Sequence, residues 1–253
     1  MKRFLTGAII LAALLGLWWM GSRPETPNAP PEQVTEQAQP PAEPTPVPTP
    51  EPTLPTDGQT LEVHFIDVGQ GDATLFLCNG HAMLVDGGTP ENSDRIYSVL
   101  KTLGISQLDY IVCTHPHEDH VGGLAGALNA CTAGAIWSPV ATYDSDAFRA
   151  FAKYASAQGK TLEMPSLDAA YPLGGATVTV LGPRTSYEEP NNQSLVLKVT
   201  FGETSFLLTG DAEEQAEHAL IDADVDLSAT VYQVGHHGSD TSTGYQFLRE
   251  IMP

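Results

Sequence analysis

The chain has 253 residues and a formal net charge of −20, with 31 acidic against 11 basic side chains. That balance works against holding a polyanion through bulk electrostatics, so a nucleic-acid substrate would have to be gripped by a local site. Three cysteines, Cys78, Cys113 and Cys131, make no even disulfide framework.

At the start, Lys2 and Arg3 precede an uncharged apolar run from Phe4 to Met20. A basic start and an apolar run over residues 1–22 describe a membrane anchor or a signal peptide. The run is close to the roughly 20 residues that span a bilayer, and Trp18 and Trp19 suit an interfacial aromatic belt. No small-x-small cleavage site stands out and no Cys after the run is placed to be lipidated, which favours the uncleaved anchor. With Lys2 and Arg3 kept inside, everything after Ser22 is expected to be extracytoplasmic, or secreted if the segment is cleaved. Residues 23–60 read as a tether. Twelve prolines fall between Pro24 and Pro55, with almost no aliphatics. Such a segment cannot bury enough apolar surface to offset its ordering entropy. At about 3.1 Å per residue it could hold a domain up to about 100 Å from a membrane.

Residues 61–253 suffice for one domain with a substantial core. LEVHFIDVGQGDATLFLC reads as strand, turn, strand, and HAMLVDGG as a third strand ending in a turn. Ile96, Val99, Leu100 and Leu103 recur at helical spacing, opened by Asn92 or Ser93 and closed by Gly104. LDYIVCT is a strand that delivers the chain to HPHEDH, and Phe148, Phe151 and Tyr154 predict a later helix. TVTVLG, SLVLKVTF and TSFLLTG follow as strands, the middle one alternating Leu195, Leu197, Val199 and Phe201. EEQAEHALI is a helix, ATVYQVG a strand before HHGS, and a short amphipathic segment ends the chain. Mixed strands and helices fit a layered α/β domain. Cys113 reads as a small buried hydrophobe, and a Cys78–Cys131 bridge stays open.

In THPHEDHVGG, His115, His117, Asp119 and His120 place four potential ligands within six residues at a strand end. Alternate residues can turn the imidazoles of His115 and His117 toward one point. Asp119 and His120, where a helix should begin, can face a neighbouring point. Two metal ions sharing a small cavity suit this pattern, and imidazole with carboxylate suits Zn²⁺, Mn²⁺ or Fe²⁺. Asp211 in LLTGD and His236 and His237 in HHGS sit at later strand ends, and Ser239 can cap a helix or hold an anion. His64, His81 and His218 receive no role. Asp67 and Asp72 read most simply as turn residues, and Asp86 as a turn residue or a group orienting a ligand.

Taken in order, DVGQGDA, VDGG, THPHEDHVGG, NNQSLVLKV, LLTGD and HHGS resemble the metallo-β-lactamase fold superfamily. Within it they are most similar to the ComEC-like branch, which comprises hydrolase-like domains of DNA-uptake proteins and their free-standing relatives. The resemblance runs from about Leu61 to the end. It implies a four-layer αββα sandwich with two divalent ions, Zn²⁺ or Mn²⁺, at one edge of the sheets. His115 and His117 would hold one ion, Asp119 and His120 the other, with Asp211 bridging. Either His236 or His237, preferably His237, would complete the second site, while the other touches substrate. Two departures follow. No His lies between His120 and Asp211, where many members carry a further ligand; Asn191, Asn192 and Ser194 occupy that region. The family pattern also runs on past HHGS through further strand and helix, so an edge incomplete at the C-terminus is expected.

The implied activity is phosphodiester hydrolysis by a metal-bridged hydroxide, on DNA or a cell-envelope polymer. Asp119 or Asp211 would orient the attack, a metal or a nearby His such as His236 would assist the leaving oxygen, and Asn192, Ser194 and Ser239 would bind nonbridging oxygens. Turn and cap chemistry is the other reading of those last three. Ester, lactone or β-lactam hydrolysis at the same site, and a surface binding module with a degraded site, are the alternatives. No protein partner is evident.

Overall fold

A computed structural model describes residues 58–252, so the anchor segment and nearly all of the tether lie outside the described residues. No helix among the described residues is long and apolar enough to cross a membrane.

Leu61–Phe65 (β1), Thr74–Cys78 (β2) and His81–Val85 (β3) form an antiparallel meander. Ser93–Thr102 (α1) then crosses to Gln107–Val112 (β4), which runs parallel to β3. Glu118–Val121 (α2) and Leu124–Ala130 (α3) lead to Thr132–Trp137 (β5), and Asp146–Ala157 (α4) leads to the short Leu162–Glu163 (β6). These six strands make one sheet in sequence order, parallel from β3 onward.

The second sheet comprises Ala170–Leu173 (β7), Ala176–Gly182 (β8), Val196–Phe201 (β9), Thr204–Leu208 (β10) and Val231–Gln233 (β11). Glu214–Asp222 (α5) joins β10 to the parallel β11, and Tyr245–Ile251 (α6) follows. The order is β11-β10-β9-β8-β7.

Alternation along the strands separates three apolar layers. On β2 and β3, Leu75, Ala82 and Leu84 point toward α1, α3 and α4, while Phe76, Met83 and Val85 point toward the second sheet. Leu195, Leu197 and Val199 meet them from the other side, as the period-2 pattern of SLVLKVTF requires. Val196 and Leu207 face outward onto Ala216, Leu220, Phe247 and Ile251 of α5 and α6. Helices, sheet, sheet and helices therefore stack as the expected αββα sandwich. Each fully buried Leu or Phe in it contributes about 1.5–3 kcal/mol.

α4 shows how local sequence and packing agree. Ser145 Oγ accepts the N–H of Phe148 at 3.1 Å as an N-cap, and Phe148 and Phe151 are buried beneath the helix. The sequence reading missed α3, β5, β6 and β7. The open cysteine question is resolved: all three are free and buried. Cys78 lies between the sheets and Cys131 under the helices, on opposite sides of the first sheet, so they cannot pair.

Candidate metal centre

Parallel strands deliver their carboxyl ends to one rim, where ligands of open α/β sheets collect. There β3 leads to Asp86, β4 to His115, β10 to Asp211 and β11 to His237. His117 directly precedes α2, and Asp119 and His120 lie in it. The loop between β1 and β2 closes over this helix. A Cβ on Gly71 would lie 2.1 Å from the Asp119 carbonyl oxygen, so that approach admits only glycine. Leu195 N–H donates to Thr114 O at 2.9 Å and ties the second sheet to the same loop.

Asp211 is the hub. His120 Nε2 stands 3.1 Å and His237 Nε2 3.5 Å from its Oδ1, while His115 Nε2 and His236 Nε2 lie 3.6 and 3.7 Å from its Oδ2. His120 Nε2 and His237 Nε2 are 3.1 Å apart, as are His115 Nε2 and His117 Nδ1. Asp119 Oδ2 approaches His237 Nε2 to 3.3 Å. His236 is turned differently, with Nδ1 held by Thr241 Oγ1 at 2.9 Å and Glu213 Oε1 3.4 Å away.

The residues fit divalent ions. Nitrogens bonded at about 2.0–2.1 Å to one tetrahedral ion sit about 3.3 Å from each other, close to the spacings here. Asp211 Oδ1 is buried and makes no hydrogen bond, an orphan acceptor that a cation satisfies. One atom each from Asp72, His120, Asp211 and His237 lie within 4.8 Å of one another. His115, His117 and Asp211 surround a neighbouring point, and His236 Nε2 approaches the same Asp211 oxygen as His115.

Charge is concentrated in this centre. Burial opposes the charged form of His120, but Asp86 and Asp211 outweigh it and pull its pKa up to about 10. Asp119, Asp211 and Asp72 push His237 up to about 12. His237 in turn holds Asp119 well below the carboxylate range. Burial would raise Asp211, yet His120 and His237 keep it low. Burial pushes His115 well below the usual histidine range. The raised values of His120 and His237 favour protons on nitrogens a metal would take, and a metal binding there would displace them.

The structure brings together all six residues expected as ligands. Of the three expected to touch substrate, Asn192 and Ser194 are buried, at 4% and 1% exposed, as are His115 and Asp211. Asn192 Oδ1 accepts the N–H groups of Glu213 and Ala216 and caps α5, and Ser194 Oγ accepts the Asp211 N–H at 3.2 Å. Their role is turn and cap chemistry close to the hub. Ser239 is half-buried in the turn after His237, where its Oγ meets Thr241 Oγ1 at 3.1 Å. His64, His81 and His218 lie outside the centre, next to Glu62, Asp109 and Glu214 respectively.

Asp86 holds His120, one of the expected ligands. Fully buried, it binds His120 Nδ1 at 2.9 Å, Thr114 N–H at 2.8 Å and Thr114 Oγ1 at 2.7 Å. Carboxylates behind ligating histidines fix the ring so that its other nitrogen faces the metal. The positive φ of Asp86 (58°), in a strand-end VDGG, is the local signal for a constrained position.

A profile of the metallo-beta-lactamase superfamily matches residues 66–251, and the chain belongs to that superfamily. Among curated relatives, Recombination protein 2 of Haemophilus influenzae is 32% identical over 200 residues, covering 77% of this chain and 23% of that protein. ComE operon protein 3 of Bacillus subtilis is 28% identical over 211 residues, covering 76% of this chain and 27% of that protein. The chain thus spans about a quarter of the length of these relatives. Among solved structures, the metallo-beta-lactamase SMB-1 superposes with a TM-score of 0.50 at 16% identity, covering 69% of this chain and 76% of that one. At that identity the likeness shows the fold alone.

Proposed function

We propose that residues 61–253 form a metal-dependent phosphodiesterase, held outside the cytoplasm by the N-terminal segment and acting on DNA or a cell-envelope phosphodiester. The observation that carries the catalytic part is the convergence of five imidazoles and two carboxylates, Asp119 and Asp211, on one rim. The substrate part leans on relatives whose names speak of competence and recombination. The N-terminal apolar run supports the location.

Two divalent ions, Zn²⁺ or Mn²⁺, would supply an acidified water and neutralise charge growing on phosphoryl oxygens. His115, His117, Asp119, His120 and His237 would hold them, with Asp211 between. The chain's own groups do the rest. Asp119, whose Oδ2 lies 3.3 Å from His237 Nε2, would orient the attacking water and accept its hydrogen bond. His236 stands outside the tight group with its Nδ1 fixed by Thr241, leaving Nε2 to hydrogen-bond a substrate oxygen. Ser239, in the same turn, would offer a hydroxyl for a second such bond.

Hydrolysis of bis(p-nitrophenyl) phosphate by the full chain in added Mn²⁺ or Zn²⁺ tests the reading. Turnover lost in Asp119→Ala and His120→Ala, with DNA or a glycerol-phosphate polymer then separating the substrates, is the expected result. Preference for p-nitrophenyl acetate would move the activity to esters. Specific polymer binding without any turnover would make the domain a binding module.

A further inference from the structure

Asp72 belongs to DVGQGDA, and its side chain reaches the metal centre from the loop between β1 and β2. Its Oδ1 stands 3.5 Å from His237 Nδ1, whereas His237 Nε2 faces His120, Asp119 and Asp211. Each nitrogen of that ring therefore has its own carboxylate side. The same division holds at His120, where Asp86 binds Nδ1 and Asp211 faces Nε2.

We propose that Asp72 is a positioning residue of the metal centre, holding His237 by Nδ1 so that Nε2 is aimed at the point shared with His120 and Asp211. His237 needs such a hold. Its backbone is left-handed (φ 52°, ψ 26°), as is that of His236 (φ 48°, ψ 46°), a conformation costing about 1–2 kcal/mol per non-glycine residue. Asp72 is well fixed for the task. Its N–H donates to Asp119 O at 3.3 Å, and its carbonyl accepts the Gly88 N–H at 2.8 Å. Gly71 permits the loop to press against Asp119, and Asp72 then presents its carboxylate to His237. The hold is looser than that of Asp86, since the contact is longer and the Asp72 side chain is 16% exposed against 1%.

The role rests on the metal centre and not on the choice of substrate, so its test uses metal binding. The full chain is titrated with Co²⁺ while the ligand-field bands are recorded, for wild type and Asp72→Asn, with His237→Ala as reference and circular dichroism on the same samples. Asp72→Asn is expected to bind about 10–100-fold more weakly with unchanged band positions, because the ligand set is intact. His237→Ala should shift the bands. Unchanged affinity in Asp72→Asn would overturn the role. So would bands shifted as in His237→Ala, which would make Asp72 itself a ligand. Should Asp72→Asn fail to fold, Asp72→Ser is read by the same criteria. No Co²⁺ binding by wild type would defeat the metal centre as a whole, a failure distinct from that of Asp72 alone.

Discussion

The HPHEDH loop and the HHGS turn supply histidines to the same centre by opposite means. His115 and His120 have fully buried side chains, held by hydrogen bonds with Thr114 at 3.2 Å and Asp86 at 2.9 Å respectively. His236 and His237 sit in a left-handed turn with side chains 26% and 18% exposed. The first region is a preformed template fixed by packing, and the second carries backbone strain that its contacts must offset. Strain of this kind persists at sites where the surroundings over-determine it.

The comparison can be broken at several points. Asp86→Ala carries the largest expected effect, since it strips partners from Thr114 and from His120 in a buried network. A loss of about 3–5 kcal/mol of stability is expected, read from urea unfolding of the metal-free protein. A loss below 1 kcal/mol would mean that the first region is not held as described. Asp211→Ala should weaken metal binding by more than about 100-fold, beyond the usual effect of residues that act through a ligand. Metal competition against a chromophoric chelator measures it.

Protonation sharpens the picture. In the metal-free protein His120 and His237 are raised to about 10 and about 12. Raised histidine values contribute stability that is complete below the unfolded value near 6.5. That stability is lost as pH climbs through the folded values. Metal added at pH 8 should therefore release about two protons, visible as different calorimetric heats in Hepes and Tris buffers. Equal heats after correction for one ion's binding would contradict the assigned charges. The smallest effect is expected at His236→Asn. Asparagine tolerates the left-handed backbone, so stability should change by less than about 1 kcal/mol. Metal affinity should stay within a few fold while turnover falls. A loss of metal would move His236 into the ligand set.

Much of this was legible in the sequence. HPHEDH declares itself because four potential ligands fall within six residues, and SLVLKVTF because its alternation survives intact as the inner face of β9. α3 and β5 escaped notice because close packing there demands small residues, which erase periodicity. A Cβ on Gly126 of α3 would meet the Ser93 carbonyl oxygen at 2.0 Å. Asp72 reads as a turn residue because it adjoins glycine, and Asp86 stays open between a turn and an orienting role; contacts with distant histidines distinguish the readings. Asn192 Oδ1 and Ser194 Oγ show the turn and cap chemistry that was the other reading of these residues, since both accept backbone N–H groups.

The most direct test of the account is metal content by mass spectrometry of the full chain after exposure to Zn²⁺ or Mn²⁺ and removal of excess. The arrangement predicts two ions per chain, and fewer in His120→Ala. A wild-type chain that retains none, or a His120→Ala chain that retains as many as wild type, would contradict it.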